Sequence, residues 1–228
     1  MITDIKDAIT LYFRELAKNP QHRYRSWEHC YDYFQKLRTA RSEEVLDHAT
    51  LHLAFFLASW GMYRGSSRLL QRDYTVHRPV VDVLLQSGYD SVWSLNLDSL
   101  NQRTIDAGSI IRLIRALKQS YEKVGVTPTD TLVTKVLLGT IACIPAYDTY
   151  FLDGIGYWND NLRPRSCPRL AKSLRESSYQ NLVRFYQDNA SAFQAANDDI
   201  ARYGLRYPSM KLVDMYFWII GYQLAERR

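Results

Sequence analysis

The chain has 228 residues, of which 46% are hydrophobic and 23% charged. That supports one large domain or two small ones with a sizeable core, and it excludes a disordered chain. A net charge of +5 permits contact with phosphate or an acidic partner without requiring one.

Thr3 or Asp4 caps a first predicted helix to about Lys18, with Ile5, Ile9, Tyr12, Phe13 and Leu16 at helical spacing. Asn19-Pro20 stops it. A second helix runs from about Ser26 to Leu37. A third opens at Ser42, carries Glu43 and Glu44 in its first turn, and runs to Trp60 before Gly61. Short helices follow at about 67–72, at 79–86 behind Pro79, and at 92–95 behind Asp90. The pattern from Thr104 to Val124 is strongly helical, and Gly125 closes it. Thr127-Pro-Thr-Asp130 opens the next helix, which runs to about Ile144. Asp148 caps a short one to about Leu152. Residues 154–169 are the least regular stretch and could separate two lobes. Helices at about 179–187 and 190–203 come next. A final helix, capped by Ser209 and running to Arg227, is apolar on most sides and belongs in the core. No stretch alternates like a strand. The expectation is an all-α fold of about nine or ten helices in one compact unit.

Cys30, Cys143 and Cys167 are too few and too scattered for a disulfide framework, and no Cys-x-x-Cys marks a zinc ribbon. The first residues lack the regions of a signal peptide. No apolar run nears the roughly 18 residues that span a bilayer. The chain is therefore expected to be reduced and cytoplasmic, with no membrane contact and no cofactor.

Chemistry concentrates in the segment from Thr134 to Phe151. Lys135 stands near the start of an apolar helix, Pro145 ends the run, and Asp148 opens the next helix. This segment resembles the core of the helix-hairpin-helix DNA glycosylases, an all-α family that flips a damaged base out of the duplex. The resemblance implies that Lys135 attacks the sugar carbon and that Asp148 stabilises the cationic transition state. Those roles suit an amine and a carboxylate. The pocket around an extruded base favours aromatic residues, for which Trp60, Tyr147, Tyr150, Tyr157, Trp158 and Trp218 qualify by type. Two departures stand out. Residues 126–133 lack the family's glycine-rich hairpin. A helix to Ile144 also leaves Lys135 about 13 Å below the helix end, with only three residues to return the chain to Asp148.

Other residues offer different chemistry. Glu44, His48 and His52 share one helix face, with Glu28 and His29 on the preceding helix, and two such histidines are weak candidates for metal ligands. Arg41 and His48 are spaced similarly to the Arg–His motif of the all-α HEPN ribonucleases. Arg64, between Gly61 and Gly65, suits an anion. Arg163, Arg165 and Arg169 suit a phosphate backbone. The strings Ser26–Tyr31 and Trp60–Ser67 resemble segments of an uncharacterised bacterial protein family. Three functions are expected in turn: nucleic-acid (DNA or RNA) binding with base-excision chemistry at Lys135 and Asp148, a non-catalytic helical protein that binds a partner or small ligand, and a ribonuclease using Arg41 and His48.

Overall fold

The computed structural model describes residues 1–37, 42–64, 68–95, 97 and 107–227. Among these the chain forms eleven α-helices and no strand, so the protein is all-α. The helices are α1 (Ile5–Ala17), α2 (Ser26–Lys36), α3 (Glu43–Ser59), α4 (Arg78–Leu84), α5 (Asp90–Trp93), α6 (Ala107–Lys123), α7 (Asp130–Thr140), α8 (Thr149–Tyr157), α9 (Glu176–Asp188), α10 (Ala190–Ala201) and α11 (Ser209–Ala225). No helix among the described residues is long and apolar enough to cross a membrane.

The chain divides into two compact units. Met1–Asn19, Leu95–Ala107 and Ile144–Arg228 form the first, and Pro20–Ser94 with Gly108–Cys143 form the second. The irregular basic segment 154–169 lies wholly inside the first unit.

In the first unit α11 is the central element. Every residue from Ser209 to Gly221 is buried, which its all-round hydrophobicity dictates. Helix α8 lies against α11 at backbone distance. A Cβ at Gly154 would meet the Phe217 carbonyl oxygen at 2.0 Å, and one at Gly221 would meet the Tyr150 carbonyl oxygen at 1.9 Å. Only glycine allows that approach. Helix α1 packs on α10 and α11. The Tyr216 hydroxyl donates to the Thr3 carbonyl at 3.1 Å, and Lys6 pairs with Asp199 at 2.9 Å. The first helix is thereby tied to elements some two hundred positions later, which sequence periodicity cannot reveal.

In the second unit α3 packs on α2, α4 and α7. Gly139 of α7 sits where a Cβ would meet the Phe56 ring at 2.3 Å. Polar side chains on α2 take carbonyls at the end of α7. Trp27 Nε1 donates to Leu138 at 2.9 Å and Gln35 Nε2 to Thr140 at 3.0 Å. They satisfy groups that a helix end leaves orphaned.

Several boundaries differ from expectation. Helix α7 stops at Thr140, not near Ile144. Ala142 adopts the left-handed conformation (φ 55°), and its N–H reaches back to the Leu137 carbonyl at 2.7 Å. An alanine thus takes the left-handed conformation that glycine usually fills at a helix end, so no glycine announces it. Helix α8 runs to Tyr157 and continues as a π-helical turn over Trp158–Leu162. Ser209 is the first residue of α11 rather than its cap. Pro208 occupies the cap position, and its carbonyl accepts from the Lys211 and Leu212 amides.

Candidate functional site

Lys135 belongs to the second unit and Asp148 to the first. Each is explained by a local task. Helix α3 ends with Gly61 in the left-handed region (φ 77°), and the Met62 amide bonds to the Leu57 carbonyl at 2.9 Å. That ending leaves the last carbonyls of α3 without helical partners. Lys135, 6% exposed, donates from Nζ to the Trp60 carbonyl at 3.0 Å, and its Nζ lies 5.6 Å from the centre of the Trp60 ring. A cation at the negative end of a helix dipole is favourable. Arg23 donates to the neighbouring Ser59 carbonyl at 3.3 Å. The Trp60 ring also packs on Tyr24 (4.8 Å) and Phe56 (5.7 Å).

The turn that follows is held from behind by a chain that sequence reading did not find. The Tyr63 hydroxyl lies 3.0 Å from His77 Nε2, and His77 Nδ1 lies 2.8 Å from the Tyr121 hydroxyl. His77 and Tyr121 are wholly buried. Burial holds the His77 pKa down to about 4, so the imidazole is neutral and has a single N–H. Among the described residues Tyr121 has only His77 to donate to. The arrangement that satisfies both buried groups has Tyr121 O–H donating to Nδ1 and Nε2–H donating to the Tyr63 oxygen. The half-buried Tyr63 then keeps its own O–H free to donate outward. Burial, and next to it the Asp73 carboxylate, raise the Tyr63 pKa, so that proton is retained. Beside Tyr63, Arg64 is exposed. Its guanidinium has no ion-pair or hydrogen-bond partner among the described residues.

Asp148 caps α8, its Oδ1 accepting from the Phe151 amide at 3.1 Å. The return before it is anchored by a group that sequence reading also missed. Asp214 of α11 accepts from the Ala146 amide at 3.0 Å and from Lys211 Nζ at 3.0 Å, and both side chains are 1% exposed. Lys211 Nζ also lies 5.3 Å from the centre of the Tyr12 ring. Burial, then the nearby Asp148 charge, push the Asp214 carboxyl up, while Lys211 pulls it down. The signal in the sequence was Lys211 and Asp214 at i, i+3 within an otherwise apolar helix, a spacing that puts them on one face.

The other candidates are dispersed. Of the loop arginines, Arg163 bonds to the Pro164 and Cys167 carbonyls, and Arg169 pairs with Asp160 at 2.6 Å. Arg165 is exposed and has no such partner among the described residues. Tyr147 is buried against Phe151 (5.2 Å), and the half-buried Tyr150 meets Trp218 edge-on (5.2 Å). Trp158 lines a cavity of the first unit. Glu44 and His48 are exposed on α3, and His52 stacks on Tyr33 at 4.3 Å. The His52 pKa is lowered by burial and then by His29 and His48. Among the described residues no group of three or more His, Cys, Asp and Glu side chains is placed to hold a metal ion. The Glu44–His48–His52 face with Glu28 and His29 therefore does not assemble into a metal site. Arg41 lies outside the described residues, so only His48 of the Arg–His pair is placed.

Compared with known proteins, the chain matches no family model, no curated protein and no solved structure.

Proposed function

We propose that the protein binds nucleic acid through the Trp60–Arg64 turn, where Arg64 and the Tyr63 hydroxyl take a backbone phosphate. The observation that carries this reading is the exposed Arg64, whose guanidinium has no partner among the described residues, on a turn whose neighbours are locked by Lys135, His77 and Tyr121. Burying a lysine and a histidine is costly, and here both hold one turn in place. A guanidinium forks onto two phosphate oxygens, and a hydroxyl donor can serve the third. The net charge of +5 favours the encounter. A cytoplasmic location goes with this reading, in an environment that keeps the three thiols reduced.

Fluorescence anisotropy of labelled DNA and RNA oligonucleotides across a salt series tests it. Binding should weaken linearly in log salt, and Arg64→Ala should reduce the slope by about one. Absence of binding at low salt, or equal slopes for the two proteins, would contradict it.

Base excision is the enzymatic extension of the same reading. Lys135 Nζ would bond to the sugar carbon as the glycosidic bond breaks, the base leaving with that bond's electrons and taking up the proton the amine gives up, and Asp148 would stabilise the cationic transition state. For this, Nζ has to leave the Trp60 carbonyl. Borohydride trapping on abasic-site DNA reads that step. An adduct lost in Lys135→Ala supports it, and no adduct removes the enzymatic step while leaving binding intact.

A further inference from the structure

The first unit carries a half-open pocket of about 440 Å³, within the range of small-molecule sites. Its floor is aromatic. Trp158 meets Phe185 edge-on at 5.2 Å, and Phe185 stacks with Tyr216 at 5.9 Å. The Tyr216 hydroxyl is already donating to the Thr3 carbonyl, so its ring rather than its oxygen serves the cavity.

One wall is a stripe of α9 carrying Asn181, Arg184 and Asp188, positions that share a helix face. Arg184 and Asp188 are at i, i+4, where opposite charges usually close into a pair. Here they do not, and neither has an ion-pair or hydrogen-bond partner among the described residues. A cation and an anion are thus left open side by side above an aromatic floor. The Asn181 amide nitrogen lies 3.5 Å from the Arg169 carbonyl, which leaves its carbonyl oxygen as an acceptor.

We infer that this cavity binds a zwitterionic aromatic small molecule of the aromatic α-amino acid class. The ring packs against the aromatic side chains of Trp158, Phe185 and Tyr216. Arg184 holds the carboxylate as a charge-assisted fork. Asp188, with the Asn181 oxygen, holds the ammonium. Neither single-charge analogue satisfies both sides of the wall. Its test does not depend on nucleic-acid binding.

Calorimetric titration of the full chain with L-tryptophan, indoleacetate and tryptamine tests the assignment. L-tryptophan should bind most tightly, with each analogue weaker by about tenfold, which corresponds to about 1.4 kcal/mol. Arg184→Met should weaken L-tryptophan and indoleacetate about tenfold and leave tryptamine unchanged. Asp188→Asn should weaken L-tryptophan and tryptamine and leave indoleacetate unchanged. Both side chains are exposed, so neither variant threatens folding. No heat with any of the three ligands at millimolar concentration would overturn the inference. So would equal affinity for all three, or wild-type affinity for L-tryptophan in both variants.

Discussion

At the Trp60–Arg64 turn, Lys135 reaches the Trp60 carbonyl, His77 backed by Tyr121 reaches the Tyr63 hydroxyl, and Arg64 is left in solvent. At the Ile144–Asp148 return, Asp214 takes the Ala146 amide, Lys211 neutralises Asp214, and Asp148 is occupied by the Phe151 amide. Both reversals are fixed by buried polar groups, but the second closes its charges on themselves. The first keeps one cation and one hydroxyl donor turned outward. A buried lysine therefore has a different meaning in each unit. Lys211 is half of an ion pair, whereas Lys135 completes a helix end that presents something else.

The largest effect is expected where charges close on each other. Asp214→Ala strands Lys211 in the core and should cost about 4 kcal/mol. The Lys211→Met/Asp214→Leu double variant should recover most of it. Hydrogen exchange of the α8 and α11 amides reads the loss in the unit concerned. If the single variant costs under about 1 kcal/mol, the pair is not what secures the return.

Next comes the backbone contact that supports the same return. Gly154→Ala drives a methyl group into the Phe217 carbonyl oxygen and should cost about 3 kcal/mol. Gly139→Ala in the second unit meets the Phe56 ring, which can yield, and should cost less. The reverse order in denaturation midpoints would undo the contrast.

The chain behind the presenting turn predicts a pH dependence. His77 has a folded pKa near 4 against an ordinary value of 6.5, so the unfolded chain takes up the proton first. Stability is full above about pH 6.5, falls as the pH drops from 6.5 towards 4, and is flat below that for this group. The span is about 3 kcal/mol. His52, also lowered, contributes with the same sign. His77→Gln should flatten most of the slope between pH 6.5 and 5; an unchanged slope would show that His77 is protonated in the folded state.

A smaller effect is expected at Lys135. Lys135→Met leaves the Trp60 carbonyl buried without its donor and should cost about 2 kcal/mol. Oligonucleotide affinity should fall with it, because the turn that carries Arg64 loosens. Lost stability with unchanged affinity would separate the helix end from the presenting turn.

Much of this fold is legible in the sequence because it is local. Asp4, Ser42 and Asp148 cap the helices their spacing predicts, and Gly61 and Gly125 adopt the left-handed turns expected of them. What stayed hidden depends on contacts distant in sequence or on exceptions to local rules. The end of α7 rests on Ala142 in a glycine-type conformation, with Trp27 and Gln35 bonding from another helix. That early end shortens the distance from Lys135 to its helix end to roughly 8 Å. His77 carries no pattern in sequence, since its meaning lies in Tyr63 and Tyr121, 14 and 44 positions away. Of the pocket lining only Trp158 was singled out in the sequence, because Arg184 and Asp188 form no pattern there and gain meaning only from lining the pocket.

The most direct test of the presenting turn is the oligonucleotide affinity of Arg64→Ala measured beside its chemical denaturation midpoint. Affinity should fall about tenfold or more while the midpoint stays within error of the wild type, because an exposed guanidinium with no partner among the described residues contributes to binding and not to folding. An unchanged affinity, or a loss matched by a fall in stability, would contradict the account.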